Sequence, residues 1–568
     1  MSALEKSIFS VAEIFCVSAI CLFWVFGINI SDHYPPWPSF YSDFASGLAV
    51  AAATVLFTIK FYFQGKSINN PVPASVLYVL AIGAIPLIQV LLGDVIFYGD
   101  ALVSTAYLLC FAICIWLAFD LSSLYGSEAV LEFICATLVL GSLGVFFTQL
   151  YQILGYDYLT HWIIDAPPDR IHGNVSQPNQ ASTLLYTALC ALIYLYTIKS
   201  VRGSITFLVL IVLLVGISVT ASRSGWLQVT LLTLGVLYLA RSGTLRIKTS
   251  NIFSFYALFI VLFYSWPILI ERMSGASARG MEEVFSAGHR LTHWAVLLDA
   301  SLSKPFFGFG WNQVAIAQFH SVLNFPSTGE RIGHSHNILL DLIIYNGYPL
   351  AMGICAIILV WFWRKLRYYN GTPRLILILM LAGVGVHSLF EFPHHYLYIL
   401  APLGAIIGVL EHSDRSLRAI NFNPPKHLLT LVAMSTIVLL GAVARDYVSV
   451  EGAFRNIRAQ LLNISFSEPP EEPPRLLILD QWEAHLRFLK DSQKATPSLE
   501  NLSEISEVAQ RFPSSLVLNR YMSALINLGM TGEAKDMVER VCKTHDSQNC
   551  DFSRIIFERE LSRLNQVP

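Results

Sequence analysis

Charge is what this chain has least of. Aspartate, glutamate, lysine and arginine together make up 13% of its 568 residues, about half the quarter typical of soluble proteins. That scarcity excludes an ordinary soluble domain. The formal net charge of −2 says little about partners, and where the charges sit says more; no nucleic-acid partner is expected. The nine cysteines show no CxxC or other metal-type spacing, and seven lie in or beside apolar runs, where they pack as small buried residues. No HExxH occurs. The first apolar run, Ile14 to Ile30, lacks an A-x-A cleavage pattern and therefore reads as a retained helix rather than a cleaved signal peptide.

What is abundant is hydrocarbon: 54% of residues are hydrophobic and the mean hydropathy is +0.56. Many apolar runs reach the ~20 residues that cross a bilayer. A ~19-residue hydropathy reading predicts an all-α, polytopic inner-membrane protein with about thirteen spans. They fall near 12–30, 44–63, 74–92, 101–119, 129–153, 181–198, 204–220, 224–240, 252–270, 337–362, 374–391, 396–411 and 427–444.

With the N-terminus inside, the cytoplasmic links collect Lys60, Lys66, Lys199, Arg202, Arg241, Arg246, Lys248, Arg364, Lys365, Arg367 and Arg415, among others. The opposite short links hold little beyond Arg170 and Arg223. This asymmetry places the C-terminal region outside, in the periplasm of a Gram-negative cell. The reading divides the chain into a transmembrane domain, 1–444, with a large periplasmic loop at 271–336, and a periplasmic helical domain, 445–568.

In the loop, "GHRLTHWAVLLDASLSKPFFGFGWNQVA" reads as an amphipathic helix followed by a Gly- and Phe-rich turn. The tail opens on "SEPPEEPPRL", a stiff spacer. Further on, Leu518, Tyr521, Ala524, Leu525 and Leu528 form one apolar stripe, and Ala534, Met537, Val538 and Val541 the next. Two helices around a Gly turn result, with small residues where a tetratricopeptide unit wants them. One unit is a weak repeat signal. Cys542 and Cys550 would oxidise to a disulfide in a periplasmic tail.

Polar residues beside membrane helices mark function more often than in soluble proteins. "SDHYPPWPSFYSDF", "LLGDVIFYGDA", "DRIHGNVSQPNQAS", "TASRSGW", "GHSHN" and "FEFPHHYLY" all fall on the predicted periplasmic face. Gathering at one face points to a site at the outer interface rather than a path through the membrane. Arg223, flanked by Ser222 and Ser224, could clamp a phosphate through its guanidinium. Arg290, near Trp294, could do likewise. His336, Leu339, Leu340, Ile343 and Gly347 share a face at 3.6-residue spacing, and Ser335 or Asn337 can cap the start. A helix N-terminus favours bound anions and keeps a neighbouring imidazole neutral, and neutral imidazole serves as a general base. His334 and His336 cannot share a helical face, so one acts and the other supports. His289 and His293, with His334 and His336, could make a four-histidine set, but no carboxylate or cysteine completes it. No metal and no cofactor are expected.

In their order and spacing, "GNVSQPNQAS", "TASRSGW", "HRLTHWAVLLDASLSKPFFGFGWNQ", "GHSHNILLDLIIYNGYP" and "HSLFEFPHHYLYILAPLGAIIGVLE" resemble the Wzy/WaaL/PglL superfamily. These are lipid-linked glycan polymerases, O-antigen ligases and protein O-oligosaccharyltransferases, with a GT-C-like membrane fold. "HYPPWPSF" and "PLIQVLLGDVIFYGDA" are closest to the PglL type. The resemblance implies a glycan donor on undecaprenyl diphosphate and a membrane-lipid environment. It implies transfer en bloc to Ser or Thr of a periplasmic, pilin-like acceptor. On that basis His336 is expected as base with His334 beside it, and Arg223 and Arg290 as diphosphate ligands. Gln177, Asn179, Tyr396 and Tyr398 would orient sugar, lipid or acceptor. The sequence departs from the family where Asn346 replaces a frequent Glu, and where "EFPHHYLYI" loses a Tyr and a Trp. Other readings are an O-antigen ligase acting on a lipid A core and, from another class, a transporter. Against the transporter stands the absence of an inverted repeat or paired broken helices.

Overall fold

The computed structural model describes residues 21–64, 72–156, 158–274, 288–414, 426–461, 473–491 and 502–564. The start of the first apolar run and most of the Pro-rich spacer lie outside these residues. After a helical stretch at 21–27, the α-helices are α1 (Phe40–Gln64), α2 (Ala74–Leu92), α3 (Tyr98–Tyr125), α4 (Ser127–Leu154), α5 (Pro178–Thr197), α6 (Gly203–Val219), α7 (Arg223–Arg241), α8 (Thr249–Ser274), α9 (Arg290–Ser303) and α10 (Val314–Ser321). They continue with α11 (Ile338–Tyr368), α12 (Leu375–Ser388), α13 (Leu397–Ser413), α14 (Lys426–Leu461), α15 (Asp480–Asp491), α16 (Leu502–Arg511), α17 (Ser515–Asn527), α18 (Thr531–Thr544) and α19 (Ser547–Leu564). Among the described residues no strand occurs. Among the described residues, six helices (α1, α2, α3, α4, α8 and α11) carry stretches long and apolar enough to cross a membrane, and α6, α12 and α13 are shorter apolar helices. The protein is an all-helical, polytopic membrane protein.

The chain forms two compact units, 1–81 with 107–286 and 358–440, and 82–106 with 287–357 and 441–568. In the first unit α5 is the central post. Gln177 caps it and Pro178 occupies its first turn, where a missing N–H costs nothing. It packs on α4, α6, α7 and α12. Tyr186 and Tyr194 on it are fully buried, which is why its composition is polar for a membrane helix yet needs no lipid. Lys365 fastens 358–368 to α13: its ammonium lies 2.8 Å from Asp414 and 3.5 Å from Glu411, all three buried.

The second unit is knit by segments far apart in sequence. Asp100 receives Arg511 through both oxygens, at 2.6 and 2.8 Å, and Asn312 at 3.0 Å. Asp480 accepts the N–H groups of Tyr98 and Gly99 at 3.1 and 2.7 Å, placing a carboxylate on the positive N-terminus of α3. Gly99 is small because a Cβ there would meet Ile478 O at 2.5 Å. Asp446, fully buried, gathers the N–H groups of Leu477, Ile478 and Leu479. The expected helical hairpin is present as α17 and α18 around Gly529, whose φ is +76°. Ala524, Leu525, Ala534, Met537 and Val541 are buried between its helices. Cys542 and Cys550 form a disulfide.

The segment expected as one span over 337–362 is interrupted. Gly347 has φ +73° and ψ 173°, so 338–346 and 348–368 are two helices meeting at a break. The freed backbone groups are taken up by the Phe–Gly turn after α9. Phe309 N–H donates to Ile344 O at 2.6 Å and Tyr348 N–H to Pro305 O at 2.8 Å. A Cβ at Gly347 would meet Pro305 O at 2.7 Å. Hydrocarbon forbids unsatisfied backbone groups, so the break and the turn require each other.

Candidate active site

In the first unit the "SRSGW" stretch is a tight turn from α6 into α7. Ala221 takes φ +47°, and Ser222 caps α7 by accepting from Gly225 N–H at 3.2 Å. Gly225 leaves room for Ser182, into which any Cβ would run. Arg223 is thereby the first residue of α7, half-buried. Ser222 Oγ also donates to Asn179 Oδ1 at 2.8 Å, and Asn179 Nδ2 donates to Glu391 Oε1 at 2.9 Å. A chain of three polar side chains therefore joins α5, α7 and the turn after α12. Glu391 is 3% exposed. It was not among the residues expected from the sequence.

One turn deeper, Thr183 Oγ1 lies 2.7 Å from His387 Nδ1 and accepts from Gln228 Nε2 at 3.1 Å. His387 is also buried and unanticipated. Both Glu391 and His387 belong to "HSLFEF", so the motif was visible while the partners were not.

The "HGNVSQPNQ" stretch is built as a strap. Gly173 takes φ +61°, and a Cβ there would meet Val145 O at 2.8 Å. Asn174 Nδ2 donates to Asn29 O at 2.8 Å and Trp162 O at 2.7 Å. His33 lies with Nδ1 2.7 Å from Pro38 O and Nε2 2.5 Å from Asn174 O, carbonyls that can only accept. Burial pushes the His172 imidazole below its ordinary value, favouring its neutral form. Gln177, expected on sugar or phosphate, gives its side-chain oxygen to Gln180 N–H at 2.9 Å. Tyr396 and Tyr398 stand with ring centroids 5.2 Å apart. Tyr396 is half-buried and Tyr398 buried, its backbone carbonyl accepting from Trp24 Nε1 at 2.9 Å. Asp43 caps α13 from α1, accepting from Leu397 N–H at 2.7 Å.

In the second unit the "GHSHN" stretch is a compact turn, not the first turn of a helix. Asn337 caps α11, its Oδ1 accepting from Leu339 and Leu340 N–H at 3.0 and 3.3 Å. Ser335 N–H donates to Asp341 Oδ1 at 3.0 Å, and Ser335 O accepts from Trp294 Nε1 at 2.8 Å. His336 therefore does not share a helical face with Leu339 and Ile343. It lies before the cap with φ +56°, a left-handed conformation that costs a residue with a Cβ about 1–2 kcal/mol. Such outliers collect at functional sites because the surroundings hold them there. His334 and His336 are both half-buried.

Arg290 is the first residue of α9. His293 pairs with Glu330 at 3.1 Å, so the four histidines weighed as a metal set are not alike in their surroundings. Asn346 accepts from Trp311 Nε1 at 2.8 Å and donates to Leu342 O at 3.1 Å. An amide does both and a carboxylate could not, which accounts for Asn at this position.

Residues 208–355 match the family model described as O-antigen ligase. Residues 375–555 match the one described as virulence factor membrane-bound polymerase, C-terminal. The general O-oligosaccharyltransferase of Acinetobacter baylyi is 26% identical over 529 residues, covering 90% of this chain and 89% of that protein. This chain is therefore similar in sequence to an O-oligosaccharyltransferase along most of its length and to O-antigen ligases over 208–355. A ComP-specific O-oligosaccharyltransferase of the same organism is 25% identical over 507 residues, covering 87% of this chain and 89% of that protein. No solved structure matches the chain. The O-antigen-ligase match contains Arg223, Arg290, His334 and His336. The second contains Glu391, Tyr396, Tyr398 and the tail hairpin.

Proposed function

We propose that this protein is a protein O-oligosaccharyltransferase, moving a glycan en bloc from a lipid diphosphate to a Ser or Thr hydroxyl. The observation that carries it is the similarity to two O-oligosaccharyltransferases over about nine-tenths of the chain. The donor is undecaprenyl-diphosphate-linked glycan and the acceptor a periplasmic, pilin-like protein. About thirteen spans in the inner membrane carry the site on the periplasmic side. The hairpin of α17 and α18, read as tetratricopeptide-like, offers a polypeptide-binding surface.

Transfer requires the acceptor hydroxyl to lose its proton as its oxygen attacks the anomeric carbon. The bond from that carbon to the diphosphate oxygen breaks, and the diphosphate leaves as an anion. His336 takes the proton, oriented by the strained turn and with His334 as its neighbour. Arg223 and Arg290 hold the leaving charge, since guanidinium is permanently cationic and pairs phosphate bidentately. Asn179, fixed between Ser222 and Glu391, and Gln177 set the approach to Arg223. Tyr396 and Tyr398 present a ring face beside the lipid or acceptor. A diphosphate whose charge is held needs no general acid, and no metal enters the scheme.

The test is an acceptor-pilin mobility shift in cells carrying the gene. Loss of the shift with His336→Ala, with protein level unchanged, is the expected result. A shift that survives His336→Ala removes the base assignment. Loss with a chelator would favour a metal instead.

A further inference from the structure

One cavity takes no part in that chemistry. In the first unit, α5, α6, α7 and α8 enclose a space of about 460 Å³, within the ~300–1,000 Å³ range of small-molecule sites. Its inner wall is apolar, with Leu189, Leu214, Val229 and Val236. Its mouth is basic: Arg246 and Lys248, on the link from α7 to α8, line it and are exposed. Among the described residues neither makes an ion pair or a side-chain hydrogen bond. α7 spans 19 residues, so at 1.5 Å per residue its ends lie about 27 Å apart, close to the ~30 Å of a bilayer's hydrocarbon. Arg223 opens that helix, and the basic link follows its far end. A phosphate at Arg246 and Lys248 is therefore at the other membrane face from one at Arg223.

We propose that this cavity binds an anionic glycerophospholipid of the leaflet opposite the Arg223 end. The phosphate sits between Arg246 and Lys248, and an acyl chain lies along Leu214, Val229 and Val236. Two unpaired cations above an apolar slot between membrane helices match a lipid that joins a negative head to a hydrocarbon tail. A zwitterionic lipid brings its own cation to the phosphate and so answers Arg246 and Lys248 less well. The distance from Arg223 separates this lipid from the glycan donor, so the inference does not rest on the catalytic reading.

The experiment is native mass spectrometry of delipidated full-length protein titrated with phosphatidylglycerol or phosphatidylcholine. Phosphatidylglycerol is expected to bind in preference. The double variant Arg246→Gln, Lys248→Gln should weaken it roughly 25-fold, at about fivefold per basic residue. Val236→Trp, which fills the slot, should abolish it in protein that stays monodisperse, whereas Arg223→Gln should leave it unchanged. Equal binding of the two lipids would overturn the proposal, as would wild-type affinity in both cavity variants. Displacement by glycerol phosphate alone at equal affinity would overturn it in favour of a free-phosphate site. Displacement by undecaprenyl phosphate at far lower concentration would overturn it in favour of a donor-lipid site.

Discussion

His336 takes a backbone conformation that a residue with a Cβ adopts only when its surroundings hold it there. If the side chain is kept for chemistry, the two costs separate. His336→Gly relieves the left-handed strain and is expected to leave stability equal or raise it by up to about 1 kcal/mol. It should also lower transfer by about 10²–10⁴-fold, the range of a lost general base. Thermal midpoints and single-turnover rates on the same preparation check both. Asn179 is the second residue to probe. Asn179→Asp faces the buried Glu391 with another carboxylate at the 2.9 Å contact, and should cost activity more than Asn179→Ala does, read as kcat/KM for the donor. The residues of this network were legible as polar exceptions in apolar surroundings, but their partners were not. Asn179 and Glu391 are 212 positions apart, and no local pattern reports a contact made only when α5 and the turn after α12 meet.

At the scale of elements, the break in α11 shows where hydropathy reading stops. Averaging over ~19 residues finds that 338–368 is apolar but cannot register one inverted φ at Gly347. The local clues were the Gly–Tyr–Pro sequence and the "PFFGFG" turn, whose carbonyl and N–H groups complete the break. Gly347→Ala is expected to destabilise by about 2–5 kcal/mol, combining the left-handed penalty with overpacking against Pro305 and Phe306. A fall in thermal midpoint measured in detergent checks it. His336 was misplaced onto the helix for a related reason. Asn337 and Ser335 are both good caps by composition, and only the hydrogen bonds to Leu339 and Leu340 show which one ends the turn. By contrast α9 and the α17–α18 hairpin were readable outright, because their apolar stripes match the faces they bury.

At the scale of the whole molecule, the tail from Gly441 forms one unit with 82–106 and 287–357. Composition suggested a spacer and an appended domain. The linkage is carried by contacts between remote segments, ionic at Arg511–Asp100 and apolar where Phe97 and Phe319 join the tail's core, which composition does not encode. Arg511→Met strips the partner from buried Asp100 and should cost about 3–5 kcal/mol, seen as earlier unfolding of this unit. The tail also carries a pH signature. His485 stacks on Phe512 with ring centroids 4.4 Å apart, and burial pushes its imidazole down to about 3. The unfolded chain takes up that proton near 6.5, so the stability from keeping His485 neutral is complete above about pH 7. It is lost progressively as pH falls from about 6.5 towards 3. His485→Phe should flatten that slope in a series of thermal midpoints. The central claim concerns the transfer itself, and the most direct measurement is intact mass spectrometry of a pilin-like acceptor. The acceptor is incubated with purified protein and undecaprenyl-diphosphate-linked glycan. The account predicts a mass gain of one whole glycan on a Ser or Thr, absent with His336→Ala. An acceptor that never gains mass, while the same preparation glycosylates a lipid A core, would contradict it.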